Sequence, residues 1–377
     1  MSKWIFLILS SLPCLTGLAQ KGKNRLPAEI RVPMTAEKWD CPSSSVQFLD
    51  YKSVPAMKML TNNIPAILKD FTFTSGTIEY DIDPGEAGFS SLYFRRQDSA
   101  ESELFYFRVP HSIIPHARDG VQYTPIIKGV NMWDMLDQYQ GPVVFKKDQW
   151  NHVKLVISGS QMLVYVNDMA HPALEIPQLE GNTTQGGLAF DGKAYIANLV
   201  IRPGETEGLS PAPGFDPTYQ DPRYIRSWTV TQPAALPTGH ELTAHDLPPA
   251  GTSWEKIEAE RRGLIDLSRI YGLSKERRVV WLRARLKVET DQRHHVDFGL
   301  SDEAWVFING QYLFSDKNIY VSAFRKDPDG RCTTENSSFT LPLKAGVNEL
   351  LIGVANDFYG WGIIAKLDNM EGVELVE

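Results

Sequence analysis

Between Phe71 and Val109 the chain reads FTFTSGTIEYDIDPGEAGFSSLYFRRQDSAESELFYFRV, three runs in which apolar and polar residues alternate. Successive side chains of a strand point to opposite faces, so each run predicts a half-buried antiparallel strand. Ile78, Tyr80 and Ile82 share one face of the first run, opposite Thr77, Glu79, Asp81 and Asp83. Leu92 and Phe94 alternate with Tyr93 and Arg95 in the second, and Phe105, Phe107 and Val109 with Tyr106 and Arg108 in the third. One face of each is expected in a core. The other carries carboxylates, then arginines and tyrosines, within cross-strand reach if neighbouring runs pair in order.

The same pattern extends both ways. Trp39, VQFLDYKS and MKML precede the three runs; GVQYTPII (120–127), a Trp133 segment and VVF (143–145) follow. His152–Ile157 and Met162–Val166 alternate around Ser158-Gly159-Ser160-Gln161, a composition that predicts a hairpin. No helix is expected in the first half beyond a turn at 132–138. From Pro203 to Pro222 the alternation stops and proline and glycine accumulate, as in an interdomain segment. A second β pattern starts at Tyr224. It includes VVWLRARLKVE (279–289), AWVFING, SFTLPL, NELLIGVAN and GWGIIAKLDN. WEKIEAERRGLIDLSRIYG is ambiguous: its first half favours helix on propensity but lacks an apolar stripe. In AWVFING, Trp305 and Phe307 fall on one face, Val306 and Ile308 on the other, and Asn309-Gly310 suits a tight turn. The fold class expected is all-β, two antiparallel sandwiches: residues 37–203 and 224–377, joined by a linker at 204–223.

The first nineteen residues change the picture. Lys3, a short apolar run broken by Pro13, and Gly17-Leu18-Ala19 have the features of a secretory signal peptide, too short for a membrane span. Cleavage after Ala19 leaves about 358 residues in a secreted or periplasmic protein, enough for two cores. The net formal charge of −8 opposes nucleic-acid binding, which needs a basic surface. Cys41 and Cys332, the cysteines outside that peptide, could form one bridge or stay reduced, and cannot staple a large fold.

Several segments resemble known families. GTIEYDID (76–83), GFSSLYFRR, QYTP (122–125), QWNHVKLVISGSQMLVYVND (149–168) and GGLAFDGKAYIANLVI (186–201) are similar to the concanavalin A-like lectin/glucanase superfamily, above all its laminin-G-like modules, over residues 39–203. DFGLSDEAWVFINGQYLF (297–314) and LPLKAGVNELLIGVANDFYGWGIIAKL (341–367) resemble the galactose-binding-like jelly roll that accompanies glycosidases. Both resemblances imply sandwiches that host sugar binding, hydrolysis or purely structural modules, so function must be argued from a site.

Glu79, Asp81 and Asp83 are the candidates for a glycosidase carboxylate pair. Laminarinase-like relatives carry Glu-x-Asp-x-x-Glu or Glu-x-Asp-x-Glu; here Asp83 stands last, directly before Pro84-Gly85, which removes the expected acid/base. A solvated strand face is the simpler reading, and no catalytic residue is assigned. Arg95, Tyr106, Arg108, Gln122, Tyr123 and Trp133 are the ligand-binding candidates, because sugars take flat aromatic surface and planar hydrogen-bonding groups. Gln122 and Tyr123, being adjacent, cannot share one side of a regular strand. His111 and His116 lie in neighbouring loops. Trp305, Asn309, Tyr359 and Trp361 could make a second platform, or Trp305 and Trp361 could be core. His294-His295 point to opposite faces and no zinc spacing occurs, so no metal site is assigned. No cofactor is expected except a structural calcium, for which Asp191, Asp297, Asp302 and Asn348 are oxygen donors near turns. The function expected is a secreted carbohydrate-binding protein acting beside polysaccharide degradation, its partner a poly- or oligosaccharide. A glucanase-type glycoside hydrolase and a structural module without a small ligand are the alternatives.

Overall fold

A computed structural model describes residues 29–85, 88–114 and 116–376; the proposed signal peptide, 1–19, lies outside them. The chain forms two β-sandwiches. In the first, the back sheet runs Leu174–Ile176, Gln161–Val166, Asn151–Ser158, Gly76–Asp83, Tyr195–Pro203, Val54–Met59, Val46–Tyr51. The front sheet runs Val130–Asn131, Val121–Ile127, Ser102–Arg108, Phe89–Arg96, Gly187–Asp191, Ala66–Leu68, Trp39–Asp40. Ile78, Tyr80 and Ile82 of the back sheet face Leu92, Phe94, Phe105 and Phe107 of the front sheet in one core. Tyr80 meets Phe190 edge-on with ring centroids 5.0 Å apart. The hairpin closes as the sequence predicts, Ser158 opposite Gln161. Gly159 is required there: its φ is +50°, and a Cβ would lie 2.2 Å from the Pro211 carbonyl oxygen.

One expectation from the alternation is corrected. Gly76–Asp83 does not pair with Phe89–Arg96; its neighbours are Asn151–Ser158 and Tyr195–Pro203. Two half-apolar strands bury more surface facing each other across a core than side by side. The loop after Asp83 therefore crosses between sheets. The carboxylates and the Arg/Tyr face consequently lie on opposite outer surfaces of the sandwich.

In the second sandwich, Arg278–Val288 pairs along its length with Gly346–Ala355, with Glu303–Ile308 and Gln311–Lys317 beyond. The facing sheet is Leu264–Asp266, Gly362–Leu367, Gln292–Ser301, Ser337–Leu343. Val306 and Ile308 enter the core between the sheets, while Trp305 and Phe307 pack with Trp281 in a separate cluster. Asn309 and Gly310, both at positive φ, make the turn to Gln311. The ambiguous stretch becomes a strand (Glu255–Glu258), a 3-10 turn (Arg261–Gly263), a strand (Leu264–Asp266) and a short helix (Leu267–Tyr271). Pairing with Ser227–Val230 overrides the helical propensity of its first half.

The two sandwiches are packed together. Leu264, Cys332 and Ile364 of the second join the core cluster of the first. The 132–138 loop forms the seam: the Asp134 carbonyl accepts from Cys332 N–H at 2.8 Å, and Arg262 pairs with Asp137. A Cβ on Gly360 would sit 2.4 Å from Met135 Cγ, so only glycine permits this approach. Both Cys41 and Cys332 are free thiols. Among the described residues no helix is long and apolar enough to cross a membrane.

Candidate functional site

The outer face of the front sheet is where polar and aromatic groups converge. Phe89, Ser91 and Tyr93 of Phe89–Arg96 and the even-numbered residues of Ser102–Arg108 and Val121–Ile127 point outward, opposite the core set. The register sets Phe89 beside Arg108, Ser91 beside Tyr106, and Tyr106 beside Gln122. Above them lies a cleft of about 470 Å³, lined by Phe89, Tyr93, Tyr106, Arg108 and Trp133 of the first sandwich and by Tyr320, Phe358 and Tyr359 of the second. That volume suits a small organic ligand.

The cleft floor is fixed by hydrogen bonds. Arg108 Nη2 donates to the Tyr106 hydroxyl (2.7 Å) and to Gln122 Oε1 (2.6 Å), and the Tyr106 hydroxyl donates to the same oxygen (2.8 Å). Gln122 Nε2 donates to the Trp133 carbonyl at 2.7 Å. Gln122 is 0% exposed, so it positions Tyr106, Arg108 and Trp133 without reaching the cleft itself. Burial pushes the Tyr106 phenol up to about 12, so it is a neutral donor at physiological pH.

The two ends differ in charge. Asn62, Asn63 and Asp191 line one. Asp191 accepts from Gly192 N–H at 2.7 Å and Asn63 N–H at 3.2 Å, and burial raises its pKa. At the other, Asp119 Oδ2 lies 3.7 Å from Arg108 and 3.6 Å from Arg331, and its Oδ1 lies 2.9 Å from His111 Nδ1. The Arg331 guanidinium stacks over Trp133 at 5.1 Å.

The second sandwich supplies the roof. Trp133 meets Tyr320 edge-on at 4.7 Å and Tyr359 at 6.1 Å. Tyr359 has φ +61°, uncommon for a residue with a Cβ. Two buried carboxylates hold it there. Asp302 Oδ2 accepts from Asp357 N–H (2.5 Å) and Phe358 N–H (2.7 Å), and Asp134 accepts from Gly360 N–H (3.2 Å). Burial raises Asp302 to about 8 and Asp134 well above the carboxylate range, the latter pushed further by Asp302. Backbone held in a sparsely populated conformation by buried partners is often found at functional sites.

Of the six ligand-binding candidates, Tyr106, Arg108 and Trp133 line the cleft and Gln122 lies directly beneath. Arg95 and Tyr123 do not join them. Arg95 has φ +50°, and the close approach of Gly186 to its carbonyl breaks the alternation. Its side chain turns inward, donating to the Thr74 and Gly159 carbonyls, both at 2.8 Å. Tyr123 is on the core side and donates to Glu103 Oε2 at 2.7 Å. Burial lifts Glu103 to about 7, with the Tyr123 hydrogen bond opposing it.

The carboxylate candidates are neutralised on the back sheet. Glu79 pairs with Arg202 (2.7 Å), Asp81 with His152 (2.7 Å) and Asn198 (2.6 Å), and buried Asp83 with Lys52 (2.6 Å) and Tyr51 (2.9 Å). Burial works to raise Asp81, but the His152 and Asn198 hydrogen bonds outweigh it and leave its pKa lowered. Trp305 and Trp361 are buried, and Asn309 bonds Asn348 within a turn. Tyr359 alone of that group reaches the cleft. The calcium donors are engaged separately: Asp297 with His295 and Lys366, Asn348 with Lys344, Asp191 and Asp302 with the amides above. Among the described residues no cluster of three or more His, Cys, Asp or Glu could hold a metal ion.

Phe89, Tyr320 and Phe358 were not singled out by sequence. Phe89 has a signal, since it continues the outward alternation of Ser91 and Tyr93. Tyr320 and Phe358 have none, because a distant sandwich brings them.

No family model matches the chain, and no curated protein matches it. Among solved structures it is similar to the carbohydrate-binding module CBM66 from Bacillus subtilis, at 14% identity over 44% of this chain and 95% of that one, TM-score 0.33. It is also similar to domain 4 of a GH43 extracellular arabinanase from Geobacillus stearothermophilus in complex with arabinotriose, at 13% identity over 42% and 75%, TM-score 0.30. Chicken galectin 2 is a third, at 14% over 37% and 99%, TM-score 0.29. Each covers less than half of this chain.

Proposed function

We propose that the chain binds a poly- or oligosaccharide in the cleft between the front sheet and the second sandwich, as an exported protein serving polysaccharide breakdown. The observation that carries this reading is a set of aromatic rings held open to solvent over a polar floor. Phe89 is 53% exposed and Tyr359 46% exposed, yet both line one cleft with Tyr106 and Arg108. Large exposed rings grouped around a concavity are an unburied cost unless something covers them. A pyranose offers the matching surface: C–H faces for the rings, hydroxyls for guanidinium and amide groups. Export is supported by the charge and apolar pattern of residues 1–19.

The lining favours binding over hydrolysis. Glycosidic cleavage generally needs two carboxyl groups flanking the bond. Among the described residues lining the cleft Asp191 is the sole carboxylate.

Affinity electrophoresis across plant, algal and host polysaccharides, followed by calorimetry on the best oligosaccharide, tests the reading. Phe89→Ala and Tyr359→Ala should each weaken binding about tenfold, a loss of ~1.4 kcal/mol, with the unfolding midpoint unchanged. Absence of binding to every polymer, or undiminished binding by both variants, overturns it.

A further inference from the structure

We infer that the cleft selects an acidic saccharide, with one carboxylate or sulfate of the sugar received at the Arg108 end and neutral hydroxyls at the Asp191 end. The inference rests on the saccharide-binding reading and names the class of sugar.

Its basis is a buried charge imbalance. Arg108 (8% exposed) and Arg331 (2% exposed) lie on either side of one carboxylate, Asp119. Neither guanidinium hydrogen-bonds that carboxylate. The nearest approaches, 3.7 and 3.6 Å, exceed hydrogen-bond length, and His111 takes its other oxygen. Arg108 spends its bonds on neutral oxygens instead: the Tyr106 hydroxyl, Gln122 Oε1 and the Asp119 carbonyl. A guanidinium has five N–H donors, and Arg108 lines the cleft with some still available. Arg331 is less satisfied. Its Nη1 donates to the Asp329 carbonyl at 3.2 Å, and its buried Nε has no partner among the described residues.

Of the other described acids, Asp329 acts on Arg331 but does not offset burial and the neighbouring Arg108, which together leave the Arg331 pKa lowered. Asp134 is turned toward Gly360 N–H, and burial together with Asp302 favours its neutral, protonated form. A buried cation short of its counter-charge is costly. An oxyanion delivered to Arg108 supplies the missing charge in water-poor surroundings, where charge-assisted bonds are strongest. Arg331, behind Trp133, adds its field without touching the ligand.

The opposite end sets a limit. Asp191 pairs with Ser91, and Ser91 with Tyr106, so two strand spacings, ~10 Å at ~4.8 Å each, separate Asp191 from the Tyr106 strand. A second anion there meets a carboxylate. The cleft therefore selects for one oxyanion in one place. Bulk attraction does not mimic this, because the chain carries a net formal charge of −8 and repels polyanions at long range.

The test uses the full chain and matched probes. Calorimetry compares a galacturonate trisaccharide, the same sugar fully methyl-esterified, and a singly sulfated galactose trisaccharide. The acidic sugars should bind at least about tenfold more tightly than the ester. Raising salt from 50 to 500 mM should shrink that ratio, and Arg331→Gln should shrink it at low salt. If Arg331→Gln does not fold, Arg108→Lys is read instead: it keeps the charge, loses the planar fork, and should lower the ratio. Whichever acidic sugar binds tighter distinguishes carboxylate from sulfate as the natural group. Equal or tighter binding of the ester, or binding only to neutral polymers, overturns this inference and leaves saccharide binding standing. Failure to bind any sugar at all overturns both.

Discussion

The two outer faces of the first sandwich both carry charge and come to different ends. On the back sheet Glu79 and Asp81 meet their partners on neighbouring strands. Glu79 lies opposite Lys154 and bonds Arg202; Asp81 lies opposite His152 and bonds it. On the front sheet Arg108 lies opposite Phe89 and bonds neutral oxygens. The second sandwich then roofs that face with Tyr320, Phe358 and Tyr359. The lesson is that charge on a strand makes a solvated ladder when neighbouring strands answer it. It makes a site when they do not and a wall closes over it.

The largest expected effect comes from breaking the floor that distinguishes the two faces. Gln122→Leu removes the acceptor of Tyr106 and Arg108 and the donor to the Trp133 carbonyl, all buried. It should lower stability by about 2–4 kcal/mol in urea unfolding, since partners are left unsatisfied, and should abolish sugar binding. Retained binding would mean the floor does not position the cleft.

Next are the buried carboxyls of the two sandwiches. Asp302 is raised to about 8, and Glu103 and Glu180 to about 7, in each case chiefly by burial. Such groups keep their proton in the fold after the unfolded chain has lost it near pH ~4. Their contribution is full below that pH and is lost as pH rises through 7 to 8. The unfolding midpoint should therefore fall by roughly several degrees between pH 5 and pH 8. Asp302→Asn, which cannot ionise, should show a shallower fall. A midpoint rising over that range would contradict the assignment.

The smallest effect belongs to the back face. Glu79→Gln and Asp81→Asn should change stability by about 1 kcal/mol or less, as partly exposed ion pairs do, and leave sugar binding untouched. A tenfold loss of binding in either would move the site to that face.

How far the sequence leads differs in the same way. Alternation suffices for the all-β sandwiches and for which side of each strand is core, because a period of two follows from covalent geometry. Asn309-Gly310 was legible as a turn because few other residue pairs accept positive φ at both positions. Which sheet a strand joins was not legible: Gly76–Asp83 looks like a partner for Phe89–Arg96, and only the packed core separates them. Arg95 was misplaced for a local reason, since alternation assumes no bulge and its φ of +50° depends on Gly186, far along the chain. Tyr106, Arg108 and Trp133 were legible as a cluster. The roof was not: Tyr359 stood out only as part of a separate platform in the second sandwich, because no pattern in one sandwich reports what another lays upon it.

A crystal structure of the chain with a bound oligosaccharide tests the central claim most directly. The account predicts a sugar ring over Tyr106, flanked by Phe89 and Tyr359, with a polar group of the sugar on Arg108. Sugar bound on the Glu79, Asp81 and His152 face, with the cleft vacant, would contradict it.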